Sequence, residues 1–376
     1  MTCSNYDGSN SAARRTALFA TGASSILLVP ESMAAKRPTS LPGTTDRRID
    51  ALLTLLAENA TIVISGAKIA KEIGVTRQQV WRWIEKLREL GVRVKGHPHT
   101  GYHIERVPDI LAPQMLSHRL HGTPFARHIY HFFKVDSTNR VAMQLGAAGE
   151  PHGTVVVAEE QTSGKGRAGR SWVSEKSAGI YCSILLRPAI SPVQASLLNL
   201  VAALAVRDAA AEELPAVPDI RWPNDLVIAG SAKDGRARKF CGILTEMQAE
   251  PDRIHYAVVG IGVNVNQTKM PQALEGIATS FRMETGKFHH RSDMLIRLLL
   301  HFERYYNQFL TEGAQPILRR FAEVSSYSQG KRVRITTATG TFTGLTAGLE
   351  PSGILRVARD DGKGIEAVIS GDVAEA

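Results

Sequence analysis

A glycine-rich segment at residues 164–172, with the sequence G-K-G-R-A-G-R-S-W, constrains the fold more than any other part of the chain. Its glycines match G-x-G-x-x-G, and a strand-like run at 153–158 precedes it. In a dinucleotide-binding fold that pattern must open a helix. Here the chain continues through another glycine into a second strand-like run at 180–186. A Rossmann sheet is therefore not expected, and the phosphate-binding sequence G-x-x-x-x-G-K-[ST] does not occur.

The central part of the chain, residues 112–325, mixes strand-like and helical patterns without a regular βαβ order. Strand-like runs lie at 153–158, 180–186, 219–222, 227–228, 241–247 and 255–265, and helical runs lie at 195–214 and 291–310. This order predicts an α+β fold with a mixed, largely antiparallel sheet and flanking helices.

Residues 46–107 have the pattern of a helix-turn-helix unit. A second short helix at 66–73 ends at Gly74, a good C-terminal cap. Thr76 and Gln79 form a capping-box sequence that begins a third helix. Alternating residues at 92–104 predict a β-hairpin, which makes the unit a winged helix-turn-helix. The expected inward faces are Ile49, Leu52, Leu53, Leu55 and Leu56 in the first helix and Val80, Ile84 and Leu87 in the third.

The tail, residues 328–376, lacks a helical period. Strand-like runs at 332–335, 340–345, 354–357 and 366–369 alternate with glycine-rich turns. This alternation predicts a small β-barrel. A plausible linker lies at 108–113, between the first unit and the central domain.

The first 45 residues are interpreted as a disordered extension. Their apolar stretch at 18–29 follows two arginines and imitates a signal peptide, but polar residues and glycine interrupt it, and Met33 is an alternative start. No apolar run is expected to span a bilayer. Three scattered cysteines favour a reducing cytoplasm over a zinc site or disulfides. The net charge of +9 favours anionic partners without choosing among them.

The glycine-rich segment carries three cations, Lys165, Arg167 and Arg170, on a backbone that can approach a ligand closely. Such a loop suits an anionic ligand, although a solvated surface loop is the alternative. The segment R-W-P-N-D-L at 221–226 ends a strand with a polar pair suited to a nucleotide or its magnesium. The segment D-S-T-N at 136–139 precedes a helical run, and its hydroxyls and amides suit a carboxylate, although a plain helix cap is the alternative.

Taken together, these motifs resemble the biotin–protein ligase family. The order is D-S-T-N, Q-T-x-G-K-G-R-x-G-R-x-W, W-P-N-D-L, K-x-x-G-I-L-x-E and G-I-G-x-N-x-N. The resemblance covers residues 46–376. It implies a catalytic domain like that of class II aminoacyl-tRNA synthetases and an SH3-like C-terminal barrel. The winged unit resembles that of bifunctional bacterial members, which also repress the biotin operon.

The resemblance also implies the chemistry: biotin and ATP form biotinyl-5′-AMP, and biotin then passes to a lysine of a biotin carboxyl carrier domain, as in a biotin–[acetyl-CoA-carboxylase] ligase. Lys239, Arg167 and Arg170 would be catalytic, and Asp225 would hold Mg²⁺. The expected biotin site comprises Ser137, Thr138, Asn139, Gln161, Lys165, Gly166, Arg167, Lys239 and Gly242. The expected ATP site comprises Arg167, Arg170, Trp172, Asn224, Asp225 and Asn264, with residues 267–281 as a loop over the adenine.

Operator DNA, a homodimer formed with biotinyl-AMP and a cytoplasmic location are further implications of the resemblance. The candidate DNA-binding residues are Arg77, Gln78, Gln79, Arg82 and Lys95, at or near the start of the third helix and on the hairpin. His97 and His99 are additional candidates on the hairpin. Trp81 and Trp83 are better interpreted as packing or surface aromatics. A vestigial or dimer-forming helical unit is the alternative.

Two other functions stay open at the level of the sequence: a lipoate–protein ligase, and a ligand-sensing regulator that has lost activity. The cationic loop and W-P-N-D-L favour biotin over lipoate. Two features depart from the family pattern. Lys165 stands where many bacterial members have arginine, which loses bidentate contacts. An insertion-like stretch at 229–238 separates W-P-N-D-L from Lys239 by more than the family pattern predicts.

Overall fold

The computed structural model describes residues 27–28, 44–89, 92–97, 99–105, 109–228 and 236–376. Most of the N-terminal extension, the end of the third helix at 90–91, residue 98 of the hairpin, the linker residues 106–108 and the insertion residues 229–235 lie outside the described residues. Within the extension that was expected to be disordered, Leu27–Leu28 forms a two-residue strand, β1, which pairs in parallel with residues 246–247 of the central sheet.

The N-terminal unit has the predicted helix-turn-helix order. It comprises α1 (Thr44–Glu58), α2 (Gly66–Ile73) and α3 (Arg77–Glu89), followed by the antiparallel hairpin β2 (Val94–His97) and β3 (Gly101–Ile104). Gly74 caps α2 with a positive φ of 72°. Thr76 and Gln79 form the capping box, because each backbone N–H donates to the other side chain. The predicted inward residues are buried except Leu55, which is partly buried.

The central domain is a mixed sheet with helices packed against it. Its helices are α4 (Pro113–Ser117), α5 (Thr138–Ala147), α6 (Leu197–Ala211), α7 (Phe281–Thr285), α8 (Arg291–Glu312) and α9 (Ala314–Val324). Its strands are β4 (Ile129–Phe132), β5 (Thr154–Ala158), β6 (Gly179–Leu186), β7 (Asp219–Arg221), β8 (Asp225–Ile228), β9 (Arg238–Ala249) and β10 (Ile254–Asn264). They pair in the order β4-β5-β6-β10-β9-β8-β7, antiparallel except for β4 with β5. The predicted mixed, largely antiparallel sheet is confirmed.

One helical segment of the described chain, Pro192–Ala211, is long and apolar enough to cross a membrane, contrary to the expectation that none would be. It contains α6, and 72% of its apolar window is buried inside the protein. Its side chains pack with α8, β9 and the neighbouring strands in the main core. The segment is therefore the core helix of the central domain.

The C-terminal unit is a five-stranded antiparallel sheet. Its strands are β11 (Gln329–Thr337), β12 (Gly340–Leu349), β13 (Leu355–Arg359), β14 (Ile365–Val368) and β15 (Asp372–Glu375), paired in the order β14-β13-β12-β11-β15. Trp222 Nε1 donates to Gly353 O at 2.9 Å, which ties this unit to the central domain. The small β unit is confirmed, and its closure into an SH3-like barrel stays a prediction.

A buried ionic cluster joins the N-terminal unit to the central domain. His131 Nδ1 lies 2.8 Å from Asp50 Oδ1 of α1, and His131 Nε2 lies 3.2 Å from Glu159 Oε1. Glu159 also contacts Arg291 Nη1 at 2.7 Å and accepts from Leu111 N at 2.9 Å. Burial lowers the pKa of His131, but hydrogen bonds and charge attraction from the two carboxylates outweigh burial and raise it to about 9.

Candidate active site

The central domain contains a cavity of about 1020 Å³. Its walls include the glycine-rich segment, strands β8, β9 and β10, residues 267–278 and the end of the C-terminal unit. Fourteen residues that the sequence analysis assigned to biotin and ATP all line it: Ser137, Thr138, Asn139, Gln161, Lys165, Gly166, Arg167, Arg170, Trp172, Asn224, Asp225, Lys239, Gly242 and Asn264. The structure therefore brings the whole predicted ligand set to one place.

The glycine-rich segment connects β5 to β6, in the strand–loop–strand order that the sequence predicts. Gly166 N donates to Arg170 O at 2.6 Å, and Trp172 N donates to Gly164 O at 2.8 Å, so the segment folds back on itself. Ala168 at its tip has a φ of 52°, in the left-handed region. The result is a compact loop whose three cations line the cavity.

Two loop arginines contact other parts of the chain. Arg167 Nη1 donates to Asn224 Oδ1 at 2.9 Å, and its Nη2 lies 3.4 Å from Ser370 Oγ. Arg170 Nη2 pairs with Asp372 Oδ1 at 2.5 Å. Burial lowers the pKa of Arg167 despite the nearby acids. The C-terminal unit thus holds two of the three loop cations.

Lys239 lies at the centre of a charge cluster on the cavity floor. Its Nζ is 2.6 Å from Asp225 Oδ1, while Asp225 Oδ2 is 2.9 Å from Arg221 Nη2. Burial raises the pKa of Asp225, but the two cations outweigh burial and lower it. Both oxygens of Asp225 are therefore already engaged by cations.

The binding of Mg²⁺ by Asp225 stays a prediction. Each oxygen of a carboxylate has two lone pairs, so a metal ion could bind Asp225 beside Lys239 and Arg221. The described residues contain no group of three or more His, Cys, Asp or Glu side chains that could hold a metal ion, but Mg²⁺ bound with a nucleotide commonly uses one or two carboxylates together with phosphate oxygens. In this structure Asp225 is the counter-charge of Lys239.

The Trp172 ring covers two glycines on neighbouring strands. A Cβ added at Gly262 of β10 would lie 2.5 Å from the ring, and one at Gly242 of β9 would lie 2.9 Å from it. Lys239 Nζ lies 5.4 Å from the ring centroid, within range of a cation–π contact. Trp172 Nε1 is buried and has no hydrogen-bond partner among the described residues.

The D-S-T-N segment meets Gln161 in the wall of the cavity. Thr138 begins α5, and its N–H and hydroxyl both lie near Gln161 Oε1, at 2.8 and 3.1 Å. Gln161 Nε2 donates to Ser174 Oγ at 2.9 Å. The Asn139 amide, in contrast, is hydrogen-bonded within the protein, because its nitrogen donates to Glu246 Oε2 at 2.8 Å. Asn139 therefore positions its neighbours in this structure.

Residues 267–278 run beside β9. Lys239 N donates to Ile277 O at 2.9 Å, and Thr279 N donates to Lys239 O at 2.9 Å. Asn264 Nδ2 donates to Thr279 O at 3.1 Å. This pairing places the predicted adenine loop along one wall of the cavity, next to the cation cluster, while its role over the adenine stays a prediction.

Comparison with known proteins agrees with this geometry. Residues 132–264 match the biotin/lipoate A/B protein ligase family, residues 48–103 match a helix-turn-helix domain, and residues 329–374 match the biotin protein ligase C-terminal domain. The bifunctional ligase/repressor BirA of Bacillus subtilis is 35% identical over 86% of this chain and 97% of its own length. The chain belongs to the BirA-type biotin protein ligases.

Two further relatives support the catalytic core of this biotin ligase. The biotin–[acetyl-CoA-carboxylase] ligase of Mycobacterium tuberculosis is 33% identical over 63% of this chain and 85% of its own length. The solved biotin protein ligase of Aquifex aeolicus, in complex with biotin and ATP, is 28% identical and covers 66% of this chain and 98% of its own chain, with a TM-score of 0.55.

The candidate DNA-binding residues of this ligase lie apart from the cavity. Arg77, Gln78, Arg82 and Lys95 are exposed at the start of α3 and on β2. Gln79 differs from them, because its side-chain oxygen accepts from Thr76 N at 2.9 Å. That oxygen is occupied by the helix cap, and a contact of Gln79 with DNA, which would use its amide nitrogen, stays a prediction.

Several residues of the ligase site were missed by the sequence analysis. Asp372 and Ser370 are contributed by a unit about 200 positions away from the loop they contact. Ser183 and Glu246 lie buried behind Thr138 and Asn139. Of these four residues only Glu246 belongs to a family motif, K-x-x-G-I-L-x-E, and that motif does not indicate which residue Glu246 contacts.

Proposed function

We propose that this chain is a biotin ligase that joins biotin to AMP and then transfers biotin to a lysine of a biotin carboxyl carrier domain. The observation that supports the proposal is that the D-S-T-N segment, the cationic loop and Lys239 line one cavity. The names of the relatives point to the same activity.

In the first half-reaction a biotin carboxylate oxygen attacks the α-phosphorus of ATP. A new O–P bond forms, the bond to the β-phosphate oxygen breaks, and pyrophosphate leaves. Two anions must approach each other, so stabilisation of charge dominates. Lys239, Arg167 and Arg170 supply three positive charges at the cavity, and no covalent intermediate on the enzyme is required.

In the second half-reaction the ε-amine of the acceptor lysine attacks the biotin carbonyl carbon. The C–N bond forms, the bond to the AMP oxygen breaks, and AMP leaves while the amine loses a proton. Water competes for the same anhydride, so the loop at 164–172 would protect it by closing over the cavity. Asp225 keeps Lys239 beside the reacting groups through the 2.6 Å ion pair.

Repression of transcription is the second proposed role. The exposed cations Arg77 and Arg82 lie on α3 with Gln78, and Lys95 lies on the adjacent hairpin. This arrangement suits a recognition helix whose hairpin serves as a wing. We place biotinyl-AMP as the corepressor, a homodimer as the operator-bound form and the cytoplasm as the location, following the ligase/repressor name of the Bacillus subtilis relative.

A single assay tests the enzyme proposal against its rivals. The purified full chain is incubated with α-labelled ATP and biotin or lipoate, and the labelled adenylate is quantified. Carrier domain is then added, and its gain of biotin or lipoate is measured by mass, because the α-phosphate label leaves with AMP. Biotinyl-AMP and biotinylated carrier are expected. Product with lipoate alone would indicate a lipoate ligase, and no adenylate at all would indicate a regulator without activity. A gel shift with and without biotin plus ATP tests the repressor role.

A further inference from the structure

Four buried polar side chains form a chain of hydrogen bonds behind the D-S-T-N end of the cavity. The residues are Thr138, Asn139, Ser183 of β6 and Glu246 of β9, with exposed fractions of 4%, 5%, 0% and 4%. Ser183 Oγ lies 2.8 Å from Thr138 Oγ1 and 2.6 Å from Asn139 Oδ1. Asn139 Nδ2 lies 2.8 Å from Glu246 Oε2. Buried polar groups of this kind impose direction on each other's protons.

Glu246 determines which atoms donate and which accept along this chain of hydrogen bonds. The Asn139 amide nitrogen lies near Glu246 Oε2 and, at 3.3 Å, Leu244 O. A carboxylate and a backbone carbonyl can only accept, so both are satisfied by the amide nitrogen of Asn139. The amide oxygen must then point to the other side, toward Ser183. Glu246 thereby fixes which way the Asn139 amide is turned.

Ser183 passes this direction to Thr138. The Asn139 oxygen can only accept, so it takes up the single proton of the Ser183 hydroxyl. The Thr138 hydroxyl then has two acceptors on the protein side, Ser183 Oγ and Gln161 Oε1, at 2.8 and 3.1 Å. Whichever of them receives the Thr138 proton, that proton points into the protein. The lone pairs of Thr138 Oγ1 are left for the cavity.

A glycine on the neighbouring strand provides independent support for this arrangement. Gly260 of β10 is the cross-strand partner of Ser183. A Cβ at Gly260 would lie 2.1 Å from Asn139 Oδ1, which is far inside van der Waals contact. The absence of a side chain at 260 is therefore what lets the Asn139 oxygen reach the Ser183 hydroxyl.

We propose that Glu246 and Ser183 are positioning residues that make Thr138 a hydrogen-bond acceptor toward the ligand and so select a ring that carries an N–H donor. This inference rests on the proposed function. In the proposed mechanism the carboxylate of biotin reacts beside Lys239, so the ring of the ligand meets Thr138, in place of the carboxylate that the sequence suggested for this segment. The cyclic urea of biotin has N–H donors, whereas the dithiolane ring of lipoate has none. A pocket that leaves a buried acceptor unpaired rejects the ligand that lacks the donor. Glu246 and Ser183 therefore contribute to discrimination through Thr138, without contacting the ligand themselves.

Lys165 connects this chain to the glycine-rich loop. Its Nζ lies 3.8 Å from Glu246 Oε1, so a loop cation sits next to the carboxylate that begins the chain. A buried carboxylate needs a nearby counter-charge. Lys165, which departs from the family pattern, thus pairs with Glu246. The glycine-rich loop and the chain of hydrogen bonds meet at Glu246.

The test compares biotin with biotin methylated on a ring nitrogen, in the full-length protein without ATP. Dissociation constants are measured for the unaltered protein, Glu246→Gln and Ser183→Ala, and melting temperatures are recorded for each. A glutamine at 246 can donate as well as accept, so the Asn139 amide is no longer held. We expect biotin to bind roughly tenfold more weakly in both variants, and the binding of the methylated analogue to change about twofold or less. The ratio of the dissociation constant of methylated biotin to that of biotin should therefore fall.

Thr245→Val is the matched control. Thr245 is the neighbour of Glu246 on β9, is fully buried, and donates to Asn199 Oδ1 at 2.8 Å on the side of α6. Its loss should lower the melting temperature and leave the ratio unchanged. An unchanged ratio in Glu246→Gln and Ser183→Ala, with biotin still bound, would overturn the inference alone. No biotin binding by the unaltered protein would overturn the proposed function, and the inference with it.

Discussion

Raising the pH should weaken the fold through His131, the buried imidazole between the N-terminal unit and the central domain. Its pKa is about 9 in the folded protein, against 6.5 for an unperturbed histidine. A raised folded pKa means that the stabilisation is fully present below pH 6.5 and is lost as the pH rises through 9. At about 1.4 kcal/mol for each pKa unit, the loss between these values is about 3 kcal/mol.

Other groups with shifted pKa values also affect how stability depends on pH. Burial raises the pKa of Asp50 from its ordinary 3.8, despite the hydrogen bond and attraction of His131. Burial also raises the pKa of Glu159, but Arg291 and His131 outweigh burial and lower it to about 2. Burial lowers the pKa values of His152 and His289 from 6.5. Burial raises the pKa values of the Cys182 and Cys241 thiols above their ordinary 9.0, so both thiols reduce stability as the pH approaches 9. Comparison with a His131 variant, which keeps all of these groups, therefore isolates the share of His131.

The assay is urea unfolding at pH 6.5 and pH 9, followed by tryptophan fluorescence. Two of the four tryptophans, Trp81 and Trp83, lie in α3 and report on the N-terminal unit. The unaltered protein should lose about 3 kcal/mol of unfolding free energy between the two pH values. His131→Gln, which cannot become charged, should be less stable at pH 6.5 and should lose much less with pH. Equal pH dependence in both proteins would refute the argument.

Three further outcomes follow from the cavity and the recognition helix. Gly262→Ala places a methyl group 2.5 Å from the Trp172 ring. This substitution should shift the fluorescence emission of Trp172 and lower the free energy of unfolding by about 1–3 kcal/mol. Unchanged emission would contradict the packing of the ring on Gly262. Asp372→Asn frees Arg170 from an exposed ion pair worth up to about 1 kcal/mol. Steady-state kinetics should then show a KM for ATP lowered by up to about fivefold, and a raised KM would contradict the role of Arg170 in binding ATP. Arg82→Ala should reduce the salt dependence of operator affinity by about one unit of slope, and an unchanged slope in a titration series would remove Arg82 from the interface.

Local patterns in the sequence predicted much of the fold and the cavity. The apolar stripe of α1, the Thr76 capping box and the Gly74 cap depend on neighbours within a few residues, so they could be derived from the order of residues alone. The order of strand patterns likewise excluded a doubly wound sheet. The family motifs then placed Lys239 and the loop cations together, and the structure confirms that they line one cavity.

Contacts between distant segments could not be derived in this way. Asp50, His131 and Glu159 are separated by 81 and 28 positions, and each taken alone has the appearance of an ordinary polar residue. Asp372 lies 202 positions from Arg170. The long apolar segment around α6 shows the same limit of sequence patterns, because only tertiary packing distinguishes a buried core helix from a membrane-spanning one.

The pairing of the cavity's cations has a consequence for selectivity against small anions. Arg170 is paired with Asp372, Lys239 with Asp225, and Arg167 donates to Asn224. Any incoming anion must therefore compete with groups of the protein itself. Inorganic phosphate or a single carboxylate can replace few of these partners, whereas the three phosphate groups of a nucleoside triphosphate can engage more than one of the cations together. In a chain with a net charge of +9, this internal competition lowers the affinity of the cavity for small anions.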